Sequence, residues 1–232
     1  MFNHFFDKAV EFQNLQENIQ LGIMPTAVFG IEKSAFIYHI LAFSETGRKQ
    51  VVVLENESEV QQVKEDLMAF NVPVYTLPRL EIAFFNAYSH SHQVENERLE
   101  AIYALLEDQN CIVLTTPDAM LHAMSPKDYY LQMPFEIAID DELPIDTLTQ
   151  TLVQYGFEHV DVVEAMGQFT KRGGIVDVFV PRSPNPCRIE FFGDAVDSMR
   201  LFDVQTQLSK QSIESIKLRP CREGLLSQAQ FE

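Results

Sequence analysis

The chain has 232 residues, of which 46% are hydrophobic and 22% charged, a composition typical of a globular protein with one large or two modest domains. Its formal net charge of −17 argues against direct DNA binding, which needs clustered Lys and Arg, and favours a protein partner with a complementary patch. No apolar run approaches the ~20 residues of a membrane span, and the start, MFNHFFDKAVEFQ, is unlike a signal peptide. We therefore expect a cytoplasmic protein without a membrane partner.

Helix-like and strand-like segments alternate through the first half of the chain. The spacing of apolar residues predicts helices within 1–24 and at 34–43, 58–70 and 94–107, and strands at 26–29, 51–54, 72–77 and 111–116. Short apolar strands separated by such helices are typical of crossover connections in a largely parallel sheet. We therefore predict an α/β domain over residues 1–132.

The pattern changes after Pro134. PFEIAI is strand-like, and a helix follows whose start is marked by Pro144 and Asp146 and whose end is marked by Gly156. The alternating segments GGIVDVFVP, CRIEFFG, SMRLFD and SIKLRP come next, separated by turn residues without room for helices. This arrangement predicts a β-meander, and hence a small α+β domain over residues 133–219.

Cysteine and histidine do not indicate a metal centre. Cys111, Cys187 and Cys221 are widely spaced and form no C-x-x-C unit, so we expect three reduced thiols. His90 and His92 are two residues apart with no third ligand nearby, whereas zinc sites have three or four protein ligands. We therefore expect no bound metal.

Residues 26–36 read TAVFGIEKSAF and have the rhythm of a phosphate-binding loop. A working loop reads G-x-x-x-x-G-K-[ST], in which the glycines let backbone N–H groups surround the phosphates, while Lys and the hydroxyl meet the outer phosphates and Mg²⁺. Here only two residues separate Gly30 from Lys33 and Ser34, and Glu32 takes the place of the second glycine. A carboxylate there would repel a triphosphate. Despite the strand–loop–helix context, these residues alone do not predict a nucleotide site.

The most informative stretch is GQFTKRGGIVDVFVP at 167–181, followed by CRIEFFGDAVDSMRLFDVQTQLS at 187–209. It resembles the motif shared by the nucleotide-excision-repair helicase UvrB and the bacterial transcription-repair coupling factor (Mfd). That motif joins RGG-hydrophobic-hydrophobic-D and an apolar strand to RIEFFGD and FD-x-x-[TS]-Q-x-S, with the spacing found here. Weaker similarity at 155–169 and 77–105 extends the resemblance to nearly the whole chain.

The resemblance is closer to the coupling factor than to UvrB. UvrB has an intact Walker A loop and a tyrosine-rich hairpin that grips DNA, and this sequence has neither. The N-terminal module of coupling factors is similar to the first domains of UvrB but has lost the ATP site. Gly30, Lys33 and Ser34 then belong to a degenerate P-loop that binds no nucleotide. The alternatives are an ATPase that uses Lys33 and Ser34, and a UvrB-like nucleotide- or DNA-binding domain.

The resemblance also implies a partner. In these families the small α+β domain binds UvrA, the damage-recognition ATPase, through positions occupied here by Arg172, Arg188 and Phe192. Strand alternation puts Arg188, Glu190 and Phe192 on one face, and an arginine beside an aromatic anchor is the usual makeup of an interface hot spot. In the alternative interpretation the arginines pair locally with acids such as Asp177 and Glu190, and a helix covers Phe192.

A complete coupling factor is far longer than this chain. It also contains an RNA-polymerase-binding domain and an ATP-dependent DNA translocase with its own Walker motifs. We therefore expect a non-catalytic fragment without a cofactor, in which residues 220–232 return to the first domain. ATP, Mg²⁺, DNA and RNA polymerase would concern the rest of the parent protein, where the docking face is masked until the motor engages.

Overall fold

The computed structural model describes residues 10–23, 25–80, 88–108, 110–132 and 134–223. The chain divides into two compact units, one from Met1–Leu77 with Glu107–Pro117 and the other from Pro78–Leu106 with Asp118–Glu232. The structure is mixed α/β, with both parallel and antiparallel pairing. The domain bounds 1–132 and 133–219 remain predictions. In the described residues, no helix has the length and apolarity of a membrane span.

The first unit is a small parallel sheet with helices packed on it. Its elements are α1 Val10–Gln20, α2 Lys33–Ser44, β1 Gln50–Val53, α3 Glu57–Met68, β2 Val74–Leu77 and β3 Ile112–Thr115. β3 lies between β1 and β2 and pairs with both in parallel, so the predicted parallel sheet is confirmed. The core joins α2 and α3 to the sheet through Ile37, Leu41, Val63, Leu67, Ile112 and Leu114.

The sequence around Asn56 explains where helix α3 begins. Asn56 has extended backbone angles, and its side chain accepts a hydrogen bond of 3.0 Å from the backbone N–H of Glu59. This N-cap satisfies a donor that the first helical turn leaves open. The carboxylates of Glu57 and Glu59 lie at the positive end of the helix dipole. The predicted apolar side, which includes Val63 and Leu67, is buried.

The strand predicted at 26–29 is wrong, because residues 26–32 form neither helix nor strand. Phe29 is 90% exposed and Val28 is 45% exposed, so the apolar run lies at the surface. A β-prone run becomes a strand only when a neighbouring edge pairs with its backbone. The three-stranded sheet has edges at β1 and β2, and this run pairs with neither.

Within the described ranges, the remaining elements form a larger, mainly antiparallel sheet, a second sheet of two strands, and four helices. They are α4 Tyr88–Glu107, α5 Pro117–Met120, α6 Lys127–Gln132, β4 Phe135–Ala138, α7 Ile145–Gln154, β5 Glu158–His159, β6 Gln168–Arg172, β7 Ile175–Val178, β8 Cys187–Phe192, β9 Ala195–Phe202, β10 Ser209–Ser212 and β11 Ser215–Leu218. Six strands form one sheet in the order β10-β9-β8-β7-β6-β5. All its neighbours are antiparallel except β5 and β6.

The predicted meander is correct for its first three strands and wrong for the fourth. SIKL, which is β11, pairs antiparallel with β4 in a separate two-stranded sheet. The place beside β9 belongs to β10, whose residues SKQS are all exposed. No hydrophobic alternation marks a polar edge strand in a sequence, so β10 was not predicted. β11 instead buries Ile216 and Leu218 in the core.

Helix α7 and the two-stranded sheet pack on one face of the six-stranded sheet. The core residues are Leu148 and Leu152 from α7, Ile137, Ile216 and Leu218 from the small sheet, and Phe169, Val176, Val178, Ile189, Val196 and Met199 from the large sheet. α7 ends as predicted at Gly156, which has φ 85°. The N–H of Phe157 closes that end by donating to the carbonyl of Leu152 at 3.0 Å.

Candidate docking surface

The three residues predicted to bind a partner lie on one side of the six-stranded sheet, called here the outer face because it is opposite the core formed with α7. In β8, Ile189 and Phe191 pack against that core, so Arg188, Glu190 and Phe192 point the other way. Ile175 is the cross-strand neighbour of both Arg172 and Glu190, so the side chain of Arg172 points to the same face as that of Glu190. The predicted alternation in β8 is therefore confirmed.

Arg172 and Phe192 are at the same end of the sheet. Arg172 precedes the β6–β7 turn at Gly173, and Phe192 precedes the β8–β9 turn at Gly193. Both glycines have positive φ, 59° and 65°, the backbone conformation that tight turns require and that glycine adopts without strain. β6 and β8 are separated by one strand, and Phe192 lies two residues beyond Glu190, the residue level with Arg172, so the two side chains start about 12 Å apart.

Arg188 is held in place by an acid and an aromatic ring. Its Nε donates to Oδ1 of Asp177 at 2.7 Å, and its Nη2 donates to Oδ2 at 2.8 Å. The guanidinium carbon lies 4.9 Å from the ring centroid of Phe202, which is fully buried. The side chain of Asp177 is 6% exposed and that of Arg188 is 25% exposed. Arg188 therefore has one fixed rotamer and one edge open to solvent.

The hydrogen bonds that Arg188 donates to Asp177 raise the pKa of Arg188 above its usual value, and partial burial opposes that rise. The guanidinium therefore stays charged in the folded protein. The interpretation in which Arg188 forms a local ion pair is correct as far as Asp177 is concerned. Because the pair is bidentate and partly buried, it holds the guanidinium of Arg188 rigidly, with the remaining N–H groups of Arg188 in a fixed direction.

Phe192 is exposed and no described helix covers it. Its exposed fraction is 83%, compared with 2% for Phe169 on the core side of the same sheet. Fully burying a side chain of this size contributes about 1.5–3 kcal/mol. The position therefore offers a large apolar contact to a partner, and the interpretation in which a helix of this chain covers it is wrong for the described residues.

Arg172 is exposed and is held by a backbone oxygen. Its Nη2 donates to the carbonyl of Asp161, in the bend after β5. The preceding residue, Lys171, points to the opposite face, where its Nζ lies 2.5 Å from Oδ1 of Asp146 in α7. The side chains of Lys171 and Arg172 therefore lie on opposite faces of β6.

A second ion pair lies beside Arg188 on the outer face; the sequence placed Glu190 on this face but did not predict its partners Ser198 and Arg200. Glu190 accepts from the Oγ of Ser198 at 2.9 Å through Oε2, and its Oε1 pairs with Nη2 of Arg200. The Ser198 hydrogen bond is the main cause that lowers the pKa of Glu190, and Arg200 adds to it. These contacts depend on strand register, which a single sequence does not reveal.

The loop at Gly30 is outside every sheet. Gly30 has φ 79°, and Lys33 and Ser34 begin α2, although their side chains are outside the described part of the structure. Nearby, a cavity of about 520 Å³ is lined on its acidic side by Glu55, Glu59 and Asp66. Carboxylates at this place disfavour a triphosphate. That the loop binds no nucleotide stays a prediction.

Cys111, Cys187 and Cys221 form no disulfide and are buried. Burial raises the pKa of Cys187 and of Cys221 to about 12, so both thiols stay protonated at neutral pH. His90 and His92 lie in α4, with side chains outside the described part. Over the described ranges, no group of three or more His, Cys, Asp and Glu could hold a metal ion.

A buried ion pair was also missed. Arg98 in α4 is fully buried, and its Nη2 donates to Oε2 of Glu223 at 3.1 Å, while Nε pairs with the other oxygen and Nη1 donates to the carbonyl of Pro78. Tyr103 donates to the carbonyl of Pro220 at 2.9 Å, and Tyr130 donates to the carbonyl of Glu223 at 3.2 Å. Burial raises the pKa of Tyr130 to about 12. This cluster fixes residues 220–223 against α4 and α6.

Comparison with known proteins gives this geometry a context. Residues 135–223 match the family model of the UvrB interaction domain. The chain is 27% identical over 225 residues to the transcription-repair-coupling factor of Bacillus subtilis (strain 168), covering 96% of this chain and 19% of the relative. It is 26% identical over 220 residues to that of Staphylococcus aureus (strain Mu50), covering 94% and 19%.

The chain thus spans about a fifth of the length of these relatives. The matched domain contains the whole outer face with its three predicted residues. The resemblance stated from the sequence is therefore confirmed: this chain is similar over nearly its whole length to transcription-repair-coupling factors, and residues 135–223 match the UvrB interaction domain.

Proposed function

We propose that this chain is a non-catalytic docking module that binds UvrA in transcription-coupled nucleotide excision repair. The match to the UvrB interaction domain and the similarity to transcription-repair-coupling factors support this role. The observation that carries it is on the outer face, where Phe192 is 83% exposed and shares its side of β8 with an arginine already fixed by Asp177. The proposed contacts to UvrA are Arg172, Arg188 and Phe192.

The geometry of Arg188 suits a docking residue. Ordering a long side chain at an interface costs about 0.5–1.5 kcal/mol, and Asp177 and Phe202 have already ordered this one. A carboxylate of UvrA can therefore bind the open edge of the guanidinium at little further entropic cost. Phe192 adds apolar burial, and Arg172 adds a second cation at the same end of the sheet.

For the longer protein we propose the remaining steps. The parent would be an ATP-dependent DNA translocase that displaces stalled RNA polymerase, and this module would recruit UvrA to that place. ATP, Mg²⁺, DNA and RNA polymerase would then interact with parts of the parent outside this chain. The docking face would be masked in the resting parent, so the isolated chain would bind UvrA constitutively.

The loop at Gly30 is proposed to be a relic without a ligand. A single glycine, Gly30, followed two residues later by Glu32 cannot surround phosphates with consecutive N–H groups, and the cavity nearby carries three acids. Titration with Mg-ATP is therefore expected to show no binding. Saturable binding that disappears in Lys33→Ala would instead favour the nucleotide-binding alternative.

Calorimetric titration of UvrA with this chain tests the docking proposal. We expect Arg188→Ala and Phe192→Ala each to lose at least ~2 kcal/mol, about thirtyfold in affinity. Matched controls are Lys171→Ala, which removes a cation next to Arg172 on the opposite face, and Leu208→Ala, which removes an apolar side chain that is 69% exposed elsewhere. Failure of the intact, folded chain to bind UvrA would overturn the proposal.

A further inference from the structure

The outer face contains a second arginine directly opposite the first. β8 and β9 pair so that Arg188 and Arg200 are cross-strand partners, with Cα atoms about 5 Å apart. Like charges in this position destabilise a sheet. The pair is accommodated because each guanidinium has its own carboxylate, Asp177 for Arg188 and Glu190 for Arg200.

Arg200 keeps donors that its local partner does not use. Within the described residues its guanidinium contacts Glu190 through Nη2, which leaves the N–H groups of Nε and Nη1 for other acceptors. Its side chain is 36% exposed. A surface guanidinium in this state matches the two oxygens of a carboxylate from another molecule.

Glu190 is itself fixed in place and therefore fixes Arg200. Its two oxygens have separate partners, since Ser198 donates to Oε2 at 2.9 Å and Arg200 pairs with Oε1. The arrangement repeats that of Arg188, whose acid is Asp177. Two arginines on adjacent strands thus face the same direction, each oriented by a carboxylate from its own sheet.

We propose that Arg200 is a further partner-binding residue and that Glu190 is its positioning residue. Arg188 and Arg200 together take two carboxylates of the partner, while Phe192 enters an apolar cleft beside them. This inference rests on the docking function proposed above and specifies its partner surface, which is acidic with an apolar cleft. Each guanidinium is already balanced by a carboxylate of the sheet, so the two arginines offer oriented N–H donors to the partner rather than net positive charge.

The test titrates UvrA with Arg200→Ala, Arg200→Lys and Glu190→Gln. We expect Arg200→Ala to weaken binding by about tenfold or more, Arg200→Lys to recover part of the loss, and Glu190→Gln to weaken binding by a few-fold because Arg200 is less well oriented. Arg79→Ala is the matched control, because Arg79 is an exposed arginine off the sheet, 3.6 Å from Asp118. Circular dichroism and thermal unfolding check that each variant is folded.

The double variant Arg188→Ala/Arg200→Ala measures whether the two residues act together. Partners of one acidic patch are expected to give non-additive losses. If Arg188→Ala and Phe192→Ala weaken binding while Arg200→Ala keeps full affinity, the inference about Arg200 is wrong and the docking function stands. If the intact chain itself does not bind UvrA, the docking function fails first.

Discussion

Two arginine–carboxylate pairs in this chain have the same chemistry in different surroundings. Arg98 is fully buried with Glu223 and also donates to the carbonyl of Pro78. Arg188 is bidentate with Asp177, but a quarter of its side chain is exposed, since the exposed fraction is 25%. The first pair uses its donors within the fold, whereas the second leaves an edge for another molecule.

The comparison separates a pair that stabilises the fold from a pair that, in our proposal, orients an arginine for binding. A buried pair costs several kcal/mol in desolvation for each ion, so it is maintained only with good geometry and additional hydrogen bonds. A pair whose arginine remains a quarter exposed has a smaller desolvation cost and keeps donors available to solvent. We therefore expect substitutions at the two sites to act on different measurements, unfolding for Arg98 and binding for the outer face.

The largest expected effect is on stability at the buried pair. Arg98→Ala leaves Glu223 without its ion-pair partner and should cost about 3–5 kcal/mol in the free energy of unfolding. Urea denaturation followed by circular dichroism measures the loss. Arg79→Ala removes an exposed arginine and should cost less than ~1 kcal/mol. Equal losses in the two variants would contradict the distinction between buried and exposed pairs.

Phe192→Ala should weaken UvrA binding while leaving the free energy of unfolding nearly unchanged, the reverse of Arg98→Ala. We expect at least ~2 kcal/mol lost in UvrA affinity and a change within about 0.5 kcal/mol in the free energy of unfolding, because the ring is 83% exposed. Calorimetry and urea denaturation of the same preparation give both values. A large loss of stability would instead mean that the ring packs against this chain.

The Asp177→Asn variant tests whether the orientation of Arg188 contributes both to stability and to UvrA binding. Asn keeps the shape but loses the charge that orients Arg188, and a hydrogen bond to a charged group is worth about 1.5–3 kcal/mol. We expect a stability loss near the lower value and weaker UvrA binding, although Asp177 itself is buried. Unchanged binding in a destabilised variant would show that recognition does not require a preoriented Arg188.

The smallest effect is a pH dependence at Glu190. Its pKa is lowered in the folded chain, mainly by the Ser198 hydrogen bond, so its stabilising contribution is present above the unfolded pKa. That contribution is lost as pH falls through the folded pKa. The pair is only partly buried and is screened by solvent, so the amount is below ~1 kcal/mol. Unfolding free energies of the intact chain and Glu190→Gln should therefore converge in acid, and a constant difference at all pH values would contradict this.

Periodicity predicted most of the fold and the direction of the key side chains. The apolar side of α3 and the parallel pairing of β1, β2 and β3 follow from local patterns, and the two-residue repeat in β8 placed Arg188 and Phe192 on one face. The strand at 26–29 failed because an apolar run cannot show whether a neighbouring edge will pair with it.

The unpredicted part of the site depends on contacts between distant residues. Glu190 meets Ser198 only because β8 and β9 pair in one register, which then shifts between Glu190 and Phe191. Arg98 and Glu223 are 125 residues apart. No composition or local spacing indicates such partners, although a charged residue within an apolar helix face is a signal that could have drawn attention to Arg98.

The polar edge strand β10 has a consequence for how the molecule behaves at high concentration. An uncovered strand edge can pair with the edge of another copy and lead to aggregation. The residues of β10 are all exposed and polar, and Nζ of Lys210 lies 2.8 Å from Oδ2 of Asp203. A polar margin of this kind disfavours pairing between copies of the chain, so the exposed ring of Phe192 stays accessible to the partner proposed above.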